Sequence, residues 1–211
     1  TILCFRQLFP SAATHAPIPR TAMSEKTYLS AQRLLEDSFR MGAEIVASGF
    51  RPSIIIAIWR GGTPIGIAVQ ELLAYSGIEA DHIAIRTSSY SGIDGRSAKI
   101  RIHGTNYLVK HARHEDSLLI VDDVFDTGLT IDAVIKHLEE KTRLNMPHDV
   151  RVAVPYFKPS RNLTTRVPDY HLYETEDWLK YPHSLEGLST EEIATHRPHL
   201  FEIMKAHLPD A

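Results

Sequence analysis

Three carboxylates and a hydroxyl-rich turn share one short segment near the middle of the chain. Asp122 and Asp123 are adjacent, Asp126 follows them, and residues 127–130 read Thr-Gly-Leu-Thr. Paired carboxylates can accept hydrogen bonds from the hydroxyl groups of a sugar. The backbone N–H groups of a small turn that opens a helix can hold a phosphate. A sugar phosphate therefore fits both parts of this segment.

The surrounding elements place the segment at the edge of a sheet. Residues 118–121 are all apolar, which predicts a strand buried on both faces of a parallel sheet. In open α/β sheets, ligands bind beyond the carboxyl ends of such strands, where Asp122 stands. The alternative is that the acids only cap the following helix, whose apolar positions begin at Ile131. One cap is enough to start a helix, so three acids favour a ligand site.

The same order of strand, turn and helix occurs earlier in the chain. Residues 53–58 predict a buried strand, and the apolar residues of positions 65–73, including Ile67, predict a helix. Between them, Arg60 can offer a forked cationic donor. The pair formed by Gly61 and its neighbour lets a ligand approach the backbone closely. A pyrophosphate fits this combination, and the alternative is a plain strand-to-helix turn with a surface arginine.

Other patterns indicate a three-layer α/β fold with a mostly parallel sheet. Residues 28–48 predict a helix, and residues 87–99 predict a long polar loop. Further predicted strands cover residues 82–86, 150–157 and 170–175. Ser189 and Glu192 match a capping box, which opens a last helix running to about Ala206.

Composition narrows the class of protein. The chain has 211 residues, of which 43% are hydrophobic, and a formal charge of −3, which gives no general signal for nucleic acid. No apolar run approaches the roughly 20 residues that span a bilayer. The single cysteine, Cys4, excludes an internal disulfide framework and suits a reducing cytosol, so we expect a cytoplasmic protein. His111 and His114 lack the glutamate or cysteine partners of a zinc motif and are expected to be solvated.

The first 22 residues differ from the rest. They contain two arginines, three prolines and no acid, and Met23 follows them. A targeting leader and a simple extension ahead of a start at Met23 are both compatible with this composition. The prolines disfavour a long amphipathic helix, so we favour the extension. The remaining residues, 23–211, are expected to form one domain.

The central segment resembles the PRPP-binding signature of type I phosphoribosyltransferases. That signature has four apolar residues, two acids, two variable residues and then Asp-Thr-Gly-x-Thr, and every position of residues 118–130 fits it. The turn at Arg60, the Ser-Ser-Tyr sequence ending at Tyr90 and the Trp-Leu pair at Trp178 also resemble motifs of the purine members, in the expected order. The resemblance covers roughly residues 28–186.

The resemblance implies how PRPP is held. The paired acids of the family hold the ribose hydroxyls, a role that falls to Asp122 and Asp123, with indirect contact to Mg²⁺ through those hydroxyls and water. The 5′-phosphate turn corresponds to Thr127, Gly128, Leu129 and Thr130. The turn at Arg60 and Gly61 corresponds to the pyrophosphate site, and the family's cis peptide is expected between these two residues.

The resemblance also implies a lid and a base pocket. Ser89 and Tyr90 correspond to a mobile catalytic loop that closes over the pyrophosphate. Lys158 corresponds to the lysine that bonds the 6-oxo group of a purine. Trp178 and Leu179 correspond to the residues that line the base, within a small C-terminal hood over residues 159–188.

The implied activity is transfer of the 5-phosphoribosyl group from PRPP to N9 of a 6-oxopurine in purine salvage. Asp126 is expected to be the general base, near purine N7, and Mg²⁺ the cofactor. The alternatives are transfer to another base, such as a pyrimidine, and a PRPP-sensing regulator of the same fold. The expected partners are PRPP and a purine in a homodimer or homotetramer, without nucleic acid or membrane. The pattern departs from the family near Glu186, which therefore receives no role.

Overall fold

The computed structural model describes residues 26–91 and 98–208, so the predicted extension over residues 1–22 lies outside the described residues. The helices and strands follow one another in an order that alternates through most of the chain. They are β1 (Lys26–Tyr28), α1 (Ala31–Ala47), β2 (Ile54–Trp59), α2 (Gly62–Tyr75), β3 (Asp81–Ser91), β4 (Ala98–His103), α3 (Asn106–His111), β5 (Ser117–Val121), β6 (Val124–Phe125), α4 (Leu129–Thr142), β7 (Asp149–Phe157), β8 (Tyr170–Glu174), β9 (Trp178–Lys180), α5 (Thr190–His196) and α6 (Pro198–His207).

Seven of the described strands form one sheet. Their order is β4-β3-β2-β5-β7-β6, and β8 also pairs with β7. Every pairing is parallel except that of β3 with β4. The two remaining strands, β1 and β9, form a small parallel pair of their own. The predicted α/β fold with a mostly parallel sheet is confirmed.

Helices cover both faces of this sheet, which gives it three layers. Along β2, Ile56 packs with Leu108 of α3 and Val134 of α4. Its neighbour Ile55 packs in a second core with Met41 and other residues of α1 and α2. Successive side chains of a strand point to opposite faces, so an unbroken apolar run is what a strand between two helical layers requires.

Helix α2 packs closely against the sheet where Gly66 faces β2. A Cβ atom at Gly66 would lie only 2.7 Å from the Cβ of Ala57. The predicted helix is present, but not all of its apolar residues are buried: Ile67 is 60% exposed. The buried face of α2 runs through Ile65, Gly66 and Val69 instead.

The first predicted helix begins three residues late. The chain from Lys26 to Tyr28 pairs with β9 instead of starting α1. Ser30 then caps the helix, since its side chain accepts a hydrogen bond from the backbone N–H of Arg33 at 3.1 Å. The sequence of α1 alone could not reveal the strand before it, because the partner strand lies about 150 residues further along.

The predicted loop over residues 87–99 is shorter than expected. β3 continues to Ser91, and its backbone pairs Ser89 with Ile100 and Tyr90 with Lys99 of β4. Polar, β-compatible residues can extend an edge strand when an antiparallel partner is available. Only residues 92–97 remain between the two strands, and these lie outside the described residues.

The last predicted helix is broken in two. The capping box of Ser189 and Glu192 is present as expected. Arg197 then leaves the helical conformation, with φ −142° and ψ 57°. The residue before a proline disfavours helical angles, so Pro198 ends α5 and opens α6.

No helix within residues 26–91 and 98–208 combines the length and apolar character that crossing a membrane requires.

The tight contact at Gly66 predicts a stability defect. Gly66→Ala forces a methyl group against Ala57, and such overpacking costs about 1–3 kcal/mol. We expect a lower midpoint in urea or thermal unfolding. Glu71→Ala, on the exposed side of the same helix, serves as the control and should stay within about 0.5 kcal/mol of the parent. Equal stability of the two variants would show that α2 can move away from β2 without cost.

Candidate functional site

The carboxyl ends of β2 and β5, together with the middle of β3, open onto one cleft of about 680 Å³. Its walls bring together the two turns that sequence analysis had singled out separately. The predicted PRPP residues that line it are Arg60, Gly61, Asp122, Asp123, Asp126, Thr127, Gly128 and Thr130. Leu129 does not line the cleft and is 44% exposed on the outer side of the turn. The parallel sheet thus places both turns at one edge, as the position of the acids predicted.

The turn before α4 leaves the start of the helix free for a ligand. Gly128 stands at the N-cap with φ 76° and has no side chain to cap α4, although the N–H of Leu129 makes a long hydrogen bond of 3.4 Å to the hydroxyl of Thr127. A Cβ at Gly128 would lie 2.7 Å from the ring of Phe125, so both the space and the backbone angle favour glycine. Because no carboxylate caps the helix, the alternative that the acids serve only as caps is wrong. Uncapped N–H groups at a helix start suit an anion.

The two adjacent acids lie where β5 ends. The carboxylate of Asp122 accepts a hydrogen bond from the backbone N–H of Asp123 at 2.9 Å. Burial and the neighbouring Asp123 raise the pKa of Asp122 well above its usual value. Burial also raises the pKa of Asp123 to about 6, although hydrogen bonds and the Arg60 guanidinium act in the opposite direction. Two carboxylates are therefore held close together at an energetic cost.

The glycine turn after β2 packs directly against these acids. A Cβ at Gly61 would lie 1.9 Å from a carboxylate oxygen of Asp123, and one at Gly62 would lie 2.4 Å from the carbonyl oxygen of Val121. Glycine is thus needed here for the contact between the two turns. Sequence analysis had given it only the role of admitting a ligand.

The cis peptide lies one bond earlier than expected. It joins Trp59 to Arg60, whereas the resemblance had placed it between Arg60 and Gly61. β2 ends at Trp59, so the turn begins at Arg60 rather than after it. The guanidinium of Arg60 donates a 2.8 Å hydrogen bond to Glu186, and both side chains are largely exposed.

A second cavity of about 500 Å³ adjoins the first. Lys158, Trp178 and Leu179, the three predicted base residues, all line it. Asp126 and Tyr181 are among the residues that line both cavities. The structure therefore places the predicted base residues beside the predicted PRPP residues, with Asp126 at the junction.

Asp126 lies between two cations. The Lys158 ammonium is 3.8 Å from one carboxylate oxygen, and the Arg161 guanidinium Nε is 2.8 Å from the other. Lys158 is only 4% exposed, and its backbone N–H bonds to the carbonyl of Phe125 at 2.9 Å. That backbone bond fixes the start of the turn Pro159–Arg161, which carries Arg161 back over Asp126.

The predicted base residues differ in exposure. Trp178 is 51% exposed, and Leu179 is half-buried behind it. Both belong to β9, which pairs with β1 rather than with the main sheet. Ser89 and Tyr90 lie in β3, two and three residues beyond Thr87, which lines the first cavity.

Sequence analysis missed several lining residues. Arg86 and Thr87 were detectable, because a strand was predicted to end there at the ligand edge. Tyr181 was not detectable, because it belongs to a segment far along the chain. Its hydroxyl donates a 2.9 Å hydrogen bond to the carbonyl of Asp123. His183 also lines the first cavity, and burial, with help from Arg60 and Arg197, lowers its pKa.

The described part of the chain contains no group of three or more histidine, cysteine or acidic side chains arranged to hold a metal ion. His111 packs against the ring of Tyr107, and the His114 ring lies 3.1 Å from the carbonyl of Met146. A cation at the candidate site would thus need oxygen ligands from a substrate in addition to those of Asp122 and Asp123.

Solved structures show the same fold. A purine phosphoribosyltransferase from Pyrococcus horikoshii is 24% identical, with a TM-score of 0.60 over 78% of this chain and 97% of that chain. A hypothetical protein from Neisseria gonorrhoeae with bound ppGpp is 19% identical, with a TM-score of 0.61 over 87% and 99%. A xanthine-guanine-hypoxanthine phosphoribosyltransferase from Helicobacter pylori is 18% identical, with a TM-score of 0.56 over 74% and 92%.

No curated protein matches the sequence at a significant level. The family model for the phosphoribosyl transferase domain, in contrast, matches residues 24–187. That range contains every residue that lines the two cavities, and it includes every predicted site residue. The chain therefore belongs to the phosphoribosyl transferase domain family.

Proposed function

We propose that this protein transfers the 5-phosphoribosyl group from PRPP to N9 of a 6-oxopurine, namely hypoxanthine, guanine or xanthine. The observation that carries the proposal is the pair of adjoining cavities that meet at Asp126. One is lined by paired acids and an uncapped helix start, and the other by a buried lysine and an aromatic strand. A sugar diphosphate and a flat base would meet at their junction.

In this proposal the first cavity holds PRPP. The 5′-phosphate binds the free N–H groups of the turn ending at Thr130, and the ribose hydroxyls bind Asp122 and Asp123. Arg60 also lines the cleft, where its guanidinium would bind the pyrophosphate. Since Arg60 contacts Glu186 only through an exposed ion pair, little free energy opposes its transfer to a phosphate.

Mg²⁺ fits this arrangement as a companion of the substrate. Carboxylate and phosphate oxygens are the ligands it prefers, and it often binds through one or two carboxylates plus substrate phosphates. Asp122 and Asp123 would hold it indirectly, through the ribose hydroxyls and water. When bound, the ion neutralises the charge of the departing pyrophosphate.

The second cavity holds the purine. Lys158, buried at the end of β7, donates to the 6-oxo group, and Trp178 and Leu179 cover the ring. Asp126 then faces the reacting edge of the base and takes up a proton as the purine gains positive character. The ribose carbon becomes cationic during the transfer, so the protein's main task is to position the reactants and exclude water.

A PRPP-sensing regulator is the competing class of function. Such a protein needs no base pocket, yet Lys158 is buried beside Asp126 and a cavity large enough for a purine adjoins it. Transfer to a pyrimidine is less well supported, because Lys158 and Trp178 match the purine members. The direct test is incubation with PRPP, Mg²⁺ and each 6-oxopurine, followed by ultraviolet absorbance, with uracil and orotate as controls. Absence of turnover with all three purines would contradict the proposal.

Because Asp123 is partly buried beside a second acid, we expect its replacement to stabilise the free protein but to weaken ligand binding. The folded pKa of Asp123, about 6, exceeds the ordinary value of 3.8, so the folded protein holds protons that the unfolded chain releases. Stability is therefore lost as pH rises through about 6. At neutral pH, Asp123→Asn should stabilise the free protein by about 1–2 kcal/mol, a gain that shrinks at low pH.

The same substitution should weaken PRPP binding at least about tenfold, because a charged acceptor for the ribose is lost. Thermal unfolding across the pH range and titration with PRPP measure the two effects. Glu140→Gln, at an exposed position of α4, is the control. A variant that binds PRPP as the parent does would contradict the ribose role of Asp123.

Lys158→Ala should affect the purine more than PRPP. The charged hydrogen bond that the purine loses is worth about 1.5–3 kcal/mol, so its KM should rise about ten- to a hundredfold. Steady-state kinetics with each substrate varied in turn measure the difference. Lys110→Ala, an exposed lysine of α3, is the control. Equal rises in both KM values would instead indicate that Lys158 acts by supporting the structure.

Asp126→Asn should lower the rate without lowering the affinity for PRPP. The substitution keeps the size of the side chain but removes its ability to accept a proton, which costs about a hundred- to ten-thousandfold in rate. Single-turnover kinetics and PRPP titration separate the two effects. A loss of less than about tenfold in kcat would show that proton transfer does not depend on Asp126.

A further inference from the structure

The base cavity contains a second buried lysine that neither the motifs nor the proposed reaction uses. Lys180, at the end of β9, is 5% exposed and lines this cavity together with Lys158. Its ammonium donates to the carbonyl of Glu186 at 3.0 Å and lies 3.5 Å from the carbonyl of Gly187. It also lies 5.5 Å from the centre of the Trp178 ring.

Lys180 has no carboxylate partner within the described part of the chain. The other cations around the site are paired: Lys158 and Arg161 approach Asp126, and Arg60 bonds to Glu186. A buried charge that is not compensated by an opposite charge costs several kcal/mol. Carbonyl groups and an aromatic face offset part of that cost. The remaining positive charge borders the space where the base is proposed to bind.

The hydrogen-bonding pattern at this edge favours an acceptor on the ligand. Glu186 and Gly187 of this loop line the cavity, and the ammonium of Lys180 lies within hydrogen-bonding distance of both of their carbonyl groups. A ligand amino group placed there would meet a second donor and a positive charge. A ligand oxygen would meet the remaining N–H of the ammonium, since lysine carries three donors and no acceptor.

We propose, on the basis of the proposed function, that Lys180 determines specificity among the 6-oxopurines and selects xanthine over guanine. These bases differ at the 2-position, where xanthine has an oxo group and guanine an amino group. Lys158, from the main sheet, holds the 6-oxo edge, and Lys180, from the small sheet, holds the 2-oxo edge. Xanthine also loses a proton near neutral pH, and the ammonium of Lys180 attracts the resulting anion more strongly than it attracts the neutral base.

The first test uses the unaltered protein. We expect kcat/KM for xanthine to exceed that for guanine by about tenfold or more, the value of one charged hydrogen bond. The ratio of kcat/KM for xanthine to that for hypoxanthine should rise with pH as xanthine ionises. The proposal would be overturned if kcat/KM for guanine equalled that for xanthine. It would also be overturned if the ratio of kcat/KM for xanthine to that for hypoxanthine did not change with pH.

The second test compares variants at this position. Lys180→Met should lower kcat/KM for xanthine about ten- to a hundredfold relative to hypoxanthine and remove the pH dependence of their ratio. Lys180→Arg, which keeps the charge, should retain part of the preference. Lys205→Met, on the exposed side of α6, is the control. An equal loss with xanthine and hypoxanthine would show that Lys180 only supports the Glu186–Gly187 loop, which overturns the proposal.

These results are separable from a failure of the proposed function. If no purine reacts with PRPP, the proposed function itself is wrong. If hypoxanthine reacts but xanthine is not favoured over guanine, the reaction stands and the role of Lys180 is wrong. The measurements on the unaltered protein decide this even if Lys180→Met does not fold.

Discussion

The arrangement of the site depends on the contact between two turns, one after β2 and one after β5. Gly61 lies against the carboxylate of Asp123, and Gly62 lies against the carbonyl of Val121, at distances that leave no room for any side chain. Parallel pairing of β2 with β5 brings the turns to the same edge, but only the glycines let them touch. The width of the cleft, and the position of Arg60 relative to the acids, follow from that contact.

This close packing also explains the cost carried by the acid pair. Asp122 and Asp123 lie partly enclosed beside each other, and burial raises the pKa of both. A sequence chosen for stability alone would not place two carboxylates there. Groups that are unfavourable in the free protein commonly mark the place where a ligand provides compensation. In the proposed function, ribose hydroxyls and a magnesium ion supply that compensation.

Local patterns predicted the elements that carry most of the site. The apolar runs of β2, β5 and β7 are unambiguous because strands between two helical layers need apolar residues on both faces. The acids were found because they directly follow the run of β5, and Lys158 because it directly follows that of β7. The turn at Gly128 was found because it comes shortly after the acids. The predictions failed where distant parts of the chain determine the outcome. β1 exists because β9 pairs with it, and β3 extends because β4 provides a partner.

The same limit applies to the residues around the second cavity. Nothing near Arg161 in sequence shows that it reaches Asp126. The contact arises because the short turn Pro159–Arg161, which follows β7, brings Arg161 to that carboxylate. Lys180 reads as a surface lysine in a polar segment, yet it is buried by the loop at Gly187. Burial of a polar residue is a property of the fold, and periodicity over a strand of three residues carries too little information to predict it.

The pairing of β1 with β9 has a consequence for the order in which the site is assembled. A chain folds from its N-terminus as it is synthesised, and the first cavity draws mainly on strands that end before residue 160. The second cavity must wait for β9, which pairs with β1, the earliest of the described strands. Lys26 and Tyr28 of that strand also hold Glu192 of α5. The part of the first cavity that β2, β3 and β5 provide can therefore form in the nascent protein before β9 completes the second cavity.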